Sequence, residues 1–197
     1  MKTLQTAYME SPIGRIELKA SSAYLCSMRL VPPTGEEEEP PASNPILQEA
    51  IRQLTEYFAG QRRNFDLPIL QEGTPFQQKV WNELQKIPYG DRISYKELAA
   101  KTGNSRACRA VGSANGKNHL FIIVPCHRVV RSGGGLGGFA YGLDIKEFLL
   151  ELEQKNLGSY PVWWSGGVGK DKGAARKQEA ERPVTDEPER TGGKLSH

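Results

Sequence analysis

Through the first 35 residues, short β-like runs of apolar and polar positions alternate with turn signals. The runs "RIELKAS" and "AYLCSMRLV", bounded by Pro, Gly and Ser, predict the strands of a hairpin sheet. "EEEEPPASNP" then interrupts the pattern, and four glutamates followed by two prolines predict a solvated loop. From Pro45 the period lengthens to that of a helix, with Leu47, Ile51, Leu54 and Phe58 on one face and Gly60 as the stop. "RRNFDLPI" reads as one more strand. Residues 1–73 therefore predict a small antiparallel sheet with one helix packed on it, and nothing in them points to chemistry.

The remainder is mostly helical. Thr74 and Pro75 start a helix that places Phe76, Val80, Leu84 and Ile87 on one face until Pro88-Tyr89-Gly90. In "SYKELAAKTG", Ser94 and Glu97 form a capping box and Gly103 supplies a left-handed exit. "NSRACRAVGSANGKN" restarts a helix at Ser105, with Ala107, Ala110, Val111 and Ala114 on one face and Arg106, Arg109 and Ser113 on the other. Two short helices across a glycine-containing turn outline a helix-turn-helix. Gly112 costs the second helix about 1 kcal/mol relative to alanine. Its small side chains serve either tight helix packing or close approach to another surface. The glycine-dense loop "RSGGGLGGFAYG" follows, then the helix "LDIKEFLLELE", with Asp144 and Glu147 as a capping box and Ile145, Phe148, Leu149 and Leu152 facing inward. Gly133, Gly135 and Gly138 spell G-x-G-x-x-G, but more loop follows before the helix, unlike a dinucleotide site. Flexibility or close approach to a flat ligand suits the loop better. The expected fold class is α+β, divided into residues 1–73, a helical portion 74–158, and a polar tail 159–197 too poor in apolar residues to fold.

At 197 residues the chain suffices for one domain or two small ones sharing a core. No apolar run approaches the roughly 20 residues of a membrane span, and the start lacks the charged and apolar parts of a secretory signal, so the expected compartment is the cytoplasm, or the nucleus in a eukaryote. Cys26, Cys108 and Cys126 are too widely spaced for a disulfide framework or zinc ribbon and read as free thiols. The net charge of +3 is unevenly spread, at −3 over residues 1–73 and +5 over 74–158, which places any nucleic-acid surface in the middle block.

The chemistry concentrates in "IIVPCHRVV". A cysteine in a branched apolar run is ordinarily a small core residue. Here Pro125 removes a ladder donor, so "VPCH" reads as a strand end or sharp turn. Neighbours on a regular strand point to opposite faces, so His127 needs such a turn, or one bridging water, to draw the Cys126 proton. Arg128 and Arg131 add positive potential that favours the thiolate. Burial alone raises a thiol pKa, so a base is required, and Glu153 is the acidic candidate to orient it. A purely structural His127 is the alternative.

"PCHRV", preceded by "TPFQQKVWNELQKIPYG" and "ISYKELAAKTGNSRACRAVGSANGKN", resembles the O6-alkylguanine-DNA alkyltransferase family, from about Ser11 to Gly158 and most strongly from Thr74. The resemblance implies a ribonuclease H-like N-terminal part and a winged-helix-like C-terminal part. It implies single-turnover direct-reversal DNA repair in which Cys126 takes a methyl or larger alkyl group from guanine O6, with O4-alkylthymine left open, and is never regenerated. By the same matching, His127 is the water-mediated base, Glu153 polarises it, Asn118 ties the helix-turn-helix to the active-site segment, and Tyr95 donates to guanine N3. Arg109 fills the space of the flipped nucleotide from a helix in the minor groove. Arg106, Ser94, Ser113, Ala110 and Arg128 are expected at the DNA, and Val129, Phe139, Ala140 and Tyr141 at the extruded base. His119 and Leu120 depart from the proline often found after the family's asparagine. Residues 1–73 lack the cysteine and histidine set of the zinc site some relatives carry. No metal or cofactor is expected. The expected partner is double-stranded DNA containing O6-alkylguanine, with no membrane and no obligate protein partner, the chain acting as a monomer. Two other readings remain: a non-catalytic lesion recogniser or helix-turn-helix regulator, which has no need of Cys126, His127, Glu153 and Tyr95 together, and a thiol hydrolase, which has no need of the Arg109 helix.

Overall fold

The computed structural model describes residues 4–33 and 43–157. The acidic run at 36–39 and the tail at 159–197 lie outside the described residues.

Gln5–Met9 (β1), Arg15–Ala20 (β2) and Leu25–Val31 (β3) form an antiparallel sheet in the order β1-β2-β3. The period of two places Ile16, Leu18 and Ala20 of the central strand in the core, while Glu17 on the other face pairs with Arg29 at 2.6 Å and Lys19 at 3.2 Å. The helix Pro45–Phe58 (α1) packs into the same core. Its cap, Asn44, accepts from the Ile46 and Leu47 amides and donates its own amide to the Ser21 carbonyl at 3.0 Å, fastening the helix start to the sheet. The buried stripe of α1 is Leu47, Ala50, Gln53, Leu54 and Tyr57, turned from the expected one so that Ile51 and Phe58 are only half-buried. The strand expected in "RRNFDLPI" does not form. The Gln53 side chain brackets the Asp66 backbone instead, at 2.8 and 2.9 Å, and the neighbouring pairing is a single parallel bridge between Ile69 and Leu25.

Thr74 caps Pro75–Leu84 (α2) through a capping box with Gln77. Ile93–Ser94 (β4) leads into Tyr95–Lys101 (α3), where Ser94 and Glu97 make the expected box and Gly103 exits at φ +86°. Cys108–Gly116 (α4) starts later than Ser105, leaving Arg106 in the preceding turn, and Ala110 is exposed, so the buried face is Val111, Ala114 and Asn115. Helix α4 packs on α2 and α3. A single 3-10 turn, Cys126–Arg128, precedes Val129–Val130 (β5), which pairs parallel with β4. The final helix, Leu143–Lys155 (α5), has Gly142 at its cap with φ +97° and no side-chain cap bond. Asp144 therefore lies inside the first turn and cannot form the expected box with Glu147, although its charge still suits the helix N-terminus.

The edge of the N-terminal sheet reaches the second half directly. The Met28 amide donates to the His119 carbonyl at 2.7 Å, just ahead of the segment that carries Cys126.

Candidate active site

The segment from Asn118 to Cys126 is a succession of tight turns. Val124 N–H donates to Leu120 O at 2.8 Å, and Cys126 N–H donates to Val124 O at 2.8 Å. Ile122 is held at φ +71°, a conformation costing a β-branched residue about 1–3 kcal/mol. Asn118 locks the turns: its amide nitrogen donates to Val124 O at 2.7 Å, and its oxygen accepts from Leu120 N–H and from the Gln71 side chain at 2.8 Å. Asn115 of α4 donates to the Cys126 carbonyl at 3.3 Å. His119 faces outward with its ring against Trp81, and Leu120 is fully buried.

Cys126 is 4% exposed and opens on a cavity of about 180 Å³. This is smaller than the roughly 300 Å³ at which pockets for drug-sized ligands begin, and suits one planar ring system. Tyr95, Gly112 and Asn115 line one side, and Phe121, Phe139, Ala140 and Tyr141 the other. Gly112 brings the α4 backbone against the Tyr95 ring, and the Tyr95 hydroxyl donates to Gly138 O at 3.3 Å. Tyr141 packs on Phe121 with ring centroids 4.5 Å apart. Burial pushes the Cys126 thiol up to about 11, against the opposing influence of the Asn118 amide and the Lys146 ammonium.

His127 is fully buried, its Nε2 lying 2.8 Å from Glu153 Oε1, while its Nδ1 has no hydrogen-bond partner in the protein. Burial lowers the His127 pKa against the pull of Glu153, so the ring is neutral near pH 7. Burial tends to raise the Glu153 pKa, but His127 and Arg128 outweigh it and hold the carboxyl well below its usual range. Acting only as an acceptor, this carboxylate fixes the ring proton on Nε2 and leaves Nδ1 a lone pair. The 3-10 turn at Cys126–Arg128 thus frees Cys126 and His127 from the opposite faces a strand would impose, and Glu153 holds the imidazole from its Nε2 side.

Arg128 requires a correction. It is buried, donates to both oxygens of Glu153 at 2.9 and 3.0 Å, and donates to Ile87 O at 2.6 Å, so it supports the carboxylate and cannot meet DNA phosphates. The cation that acts on the thiol is Lys146 of α5, fully buried and donating to the carbonyls of Val129 at 2.6 Å, Leu136 at 2.5 Å and Gly138 at 3.3 Å. Lys146 thus donates to the Val129 carbonyl, and Val129, expected at the extruded base, does not line the cavity. A lysine within an amphipathic helix carries no sequence sign of burial. Tyr57, Asn115 and the Gly90 amide, which donates to Glu153 Oε2 at 2.9 Å, also gave none.

Outside the cavity, Arg106, Arg109, Ala110 and Ser113 share one exposed surface on and just before α4, with Ser94 half-buried at the start of α3. The same helix thus walls the cavity with Gly112, Asn115 and Gly116 and offers Arg109 and small side chains to solvent. Among the described residues no cluster of three His, Cys, Asp or Glu side chains is placed to hold a metal ion, and no helix is long and apolar enough to cross a membrane.

Residues 4–71 match the family described as 6-O-methylguanine DNA methyltransferase, ribonuclease-like domain, and residues 75–155 match its DNA binding domain. The methylated-DNA–protein-cysteine methyltransferase of Methanosarcina barkeri is 47% identical over 152 residues, covering 76% of this chain and 96% of that protein. The constitutive enzyme of Bacillus subtilis is 54% identical over 111 residues, covering 56% of this chain and 67% of that one. The crystal structure of Mycobacterium tuberculosis OGT in complex with DNA superposes with a TM-score of 0.70 at 40% identity, covering 77% of this chain and 93% of that one. With both of its halves matched and the Methanosarcina barkeri relative covered over 96% of its length, this chain belongs to the methylated-DNA–protein-cysteine methyltransferase family.

Proposed function

We propose that the protein repairs DNA by moving an alkyl group from guanine O6 in duplex DNA onto Cys126, once per molecule. The observation that carries this reading is the thiol at the edge of a ring-sized cavity, with the His127–Glu153 pair beside it and the exposed Arg109 surface on the helix that walls it. A thiol pushed up to about 11 is inert at neutral pH without a base. His127 Nδ1 takes the proton from Sγ, directly or through one water, and Glu153 stabilises the imidazolium. The sulfur lone pair attacks the alkyl carbon, a C–S bond forms as the C–O6 bond breaks, and guanine leaves with the electron pair. Tyr95 donates to N3 as negative charge develops there. Lys146 stabilises the thiolate and holds the loop that carries Phe139, Ala140 and Tyr141 against the base. The product is a thioether, and no group in the site removes it.

Arg109 enters the base stack from α4, with Arg106, Ala110, Ser113 and Ser94 at the minor groove. The division into residues 1–73 and 74–158 is supported by family matches that end at 71 and begin again at 75. One chain supplies every side chain of the site, which favours a monomer. The described cysteines are free thiols, as expected in the cytoplasm or nucleus.

Incubation with an O6-methylguanine duplex followed by intact mass measurement tests the reading. One added methyl group, mapped to Cys126, is expected, and Cys126→Ala should bind the lesion without transfer. Transfer that survives Cys126→Ala refutes the assignment, and binding without an adduct in the unaltered protein favours a lesion recogniser.

A further inference from the structure

Most groups that hold Glu153 lie in the second half of the chain, namely His127, Arg128 and the Gly90 amide. One does not. The hydroxyl of Tyr57, in α1 and 96 positions away, donates to Glu153 Oε1 at 2.9 Å, the oxygen that also accepts from His127. We propose that Tyr57 is a positioning residue for alkyl transfer: its hydroxyl, reaching across from the N-terminal helix, fixes the Glu153 carboxylate so that His127 keeps its proton on Nε2 and its lone pair on Nδ1. The proposal rests on the reading of Cys126 as alkyl acceptor.

Tyr57 is fully buried, and its ring is set among Phe58, Phe65 and Tyr89 with centroids 5.5, 5.6 and 6.0 Å away. A ring so enclosed has little freedom, so the direction of its O–H is set by packing of the N-terminal half. That hydroxyl donates to a charged acceptor, the stronger class of hydrogen bond. It also draws charge from the oxygen on which His127 leans. Without it, Oε1 would present more charge to the imidazole, His127 would hold a second proton to higher pH, and the protonated ring would have no lone pair for the thiol. The charged and titratable groups around this pair are Cys126 and Arg128 on the turn, Lys146 on α5, Tyr57 on α1, and Tyr89 and Arg92 between α2 and α3. Tyr57→Phe removes one oxygen from this set and leaves the rest in place.

The test is single-turnover transfer from an O6-methylguanine duplex, measured against pH for the full chain and for Tyr57→Phe. The expected result is an acid limb shifted to higher pH by about half a unit or more, with a rate on that limb about threefold or more lower and a neutral plateau changed far less. An unmoved limb with a rate that falls only in proportion to the folded fraction would show Tyr57 to be a core aromatic and overturn the inference. No transfer by the unaltered protein at any pH would remove the acceptor reading and this inference with it. Should Tyr57→Phe fail to fold, the unaltered protein decides by proton NMR. A slowly exchanging Tyr57 hydroxyl proton close to the His127 ring supports the inference, and a rapidly exchanging one overturns it.

Discussion

Lys146 and Arg128 show how much of the site a single position reveals. Arg128 stands two residues from Cys126 and reads as its electrostatic partner, yet its guanidinium turns to Glu153 and Ile87. Lys146, on a helix whose charges read as solvated, is the cation that opposes burial of the thiol. Chain proximity was legible and side-chain direction was not, because direction is set by packing between elements. Lys146→Met keeps the aliphatic stem and removes the ammonium, leaving three carbonyls short of a donor. The expected cost is about 1–3 kcal/mol of stability by chemical denaturation, with a thiol pKa above its present value of about 11 in an ultraviolet titration. An unchanged titration would detach Lys146 from the thiol. The buried pair also sets the acid response. Both Glu153 and His127 have folded pKa values below their unfolded ones, so the unfolded chain takes up protons first and stability falls as pH falls. The loss begins near the unfolded histidine value of about 6.5 and continues below the unfolded glutamate value of about 4.3. Urea midpoints measured from pH 7.5 to 3 should decline through the upper window and into the lower one, and His127→Gln should flatten the upper one.

Among the elements, those marked by local chemistry were the legible ones. The Thr74 and Ser94 starts and the Gly103 exit depend on hydrogen bonds within a few residues, so the sequence states them outright. The expected box at Asp144 failed because Gly142, at φ +97°, already turns the chain into α5 and moves the helix start to Leu143. The strand expected in "RRNFDLPI" failed because Gln53, on another element, took up the Asp66 backbone groups. Two glycines that face Tyr95 separate helix propensity from cavity shape. A Cβ on Gly112 would lie 3.7 Å from the ring, an ordinary contact, so Gly112→Ala should stabilise α4 by about 0.5–1 kcal/mol. Gly137, at φ +74°, would place a Cβ 2.8 Å from the same ring, so Gly137→Ala should displace Tyr95 and slow transfer while leaving α4 intact. Paired thermal unfolding and transfer rates check both, and equal rates for the two variants would deny that the Tyr95 position matters. Arg109, exposed on α4, should matter only where a base must leave a duplex. Arg109→Ala is expected to slow transfer from duplex DNA by about tenfold or more while sparing transfer from the free alkylated base.

Across the whole molecule, the strand-to-helix change at Pro45 and the helix start at Thr74 were legible, but the site draws on residues from both sides of Thr74. Met28 to His119, Gln71 to Asn118 and Tyr57 to Glu153 are contacts that leave no periodic trace in the sequence. Charge is distributed on the same scale. Of the +5 carried by residues 74–158, the cations of Arg128 and Lys146 are spent inside on Glu153 and on loop carbonyls, and with Arg109 directed to the base stack, Arg106, Lys117 and Arg131 are left among the exposed cations for phosphates. Each phosphate neutralised contributes about −0.9 to the slope of log affinity against log salt. Duplex binding should therefore weaken with salt at a slope of roughly −3. Arg106→Ala or Lys117→Ala should each reduce that slope by about 1 while leaving the transfer rate of the bound complex unchanged. A slope near zero would place the DNA on some face other than that of α4, because only a surface poor in cations binds a duplex without displacing counterions.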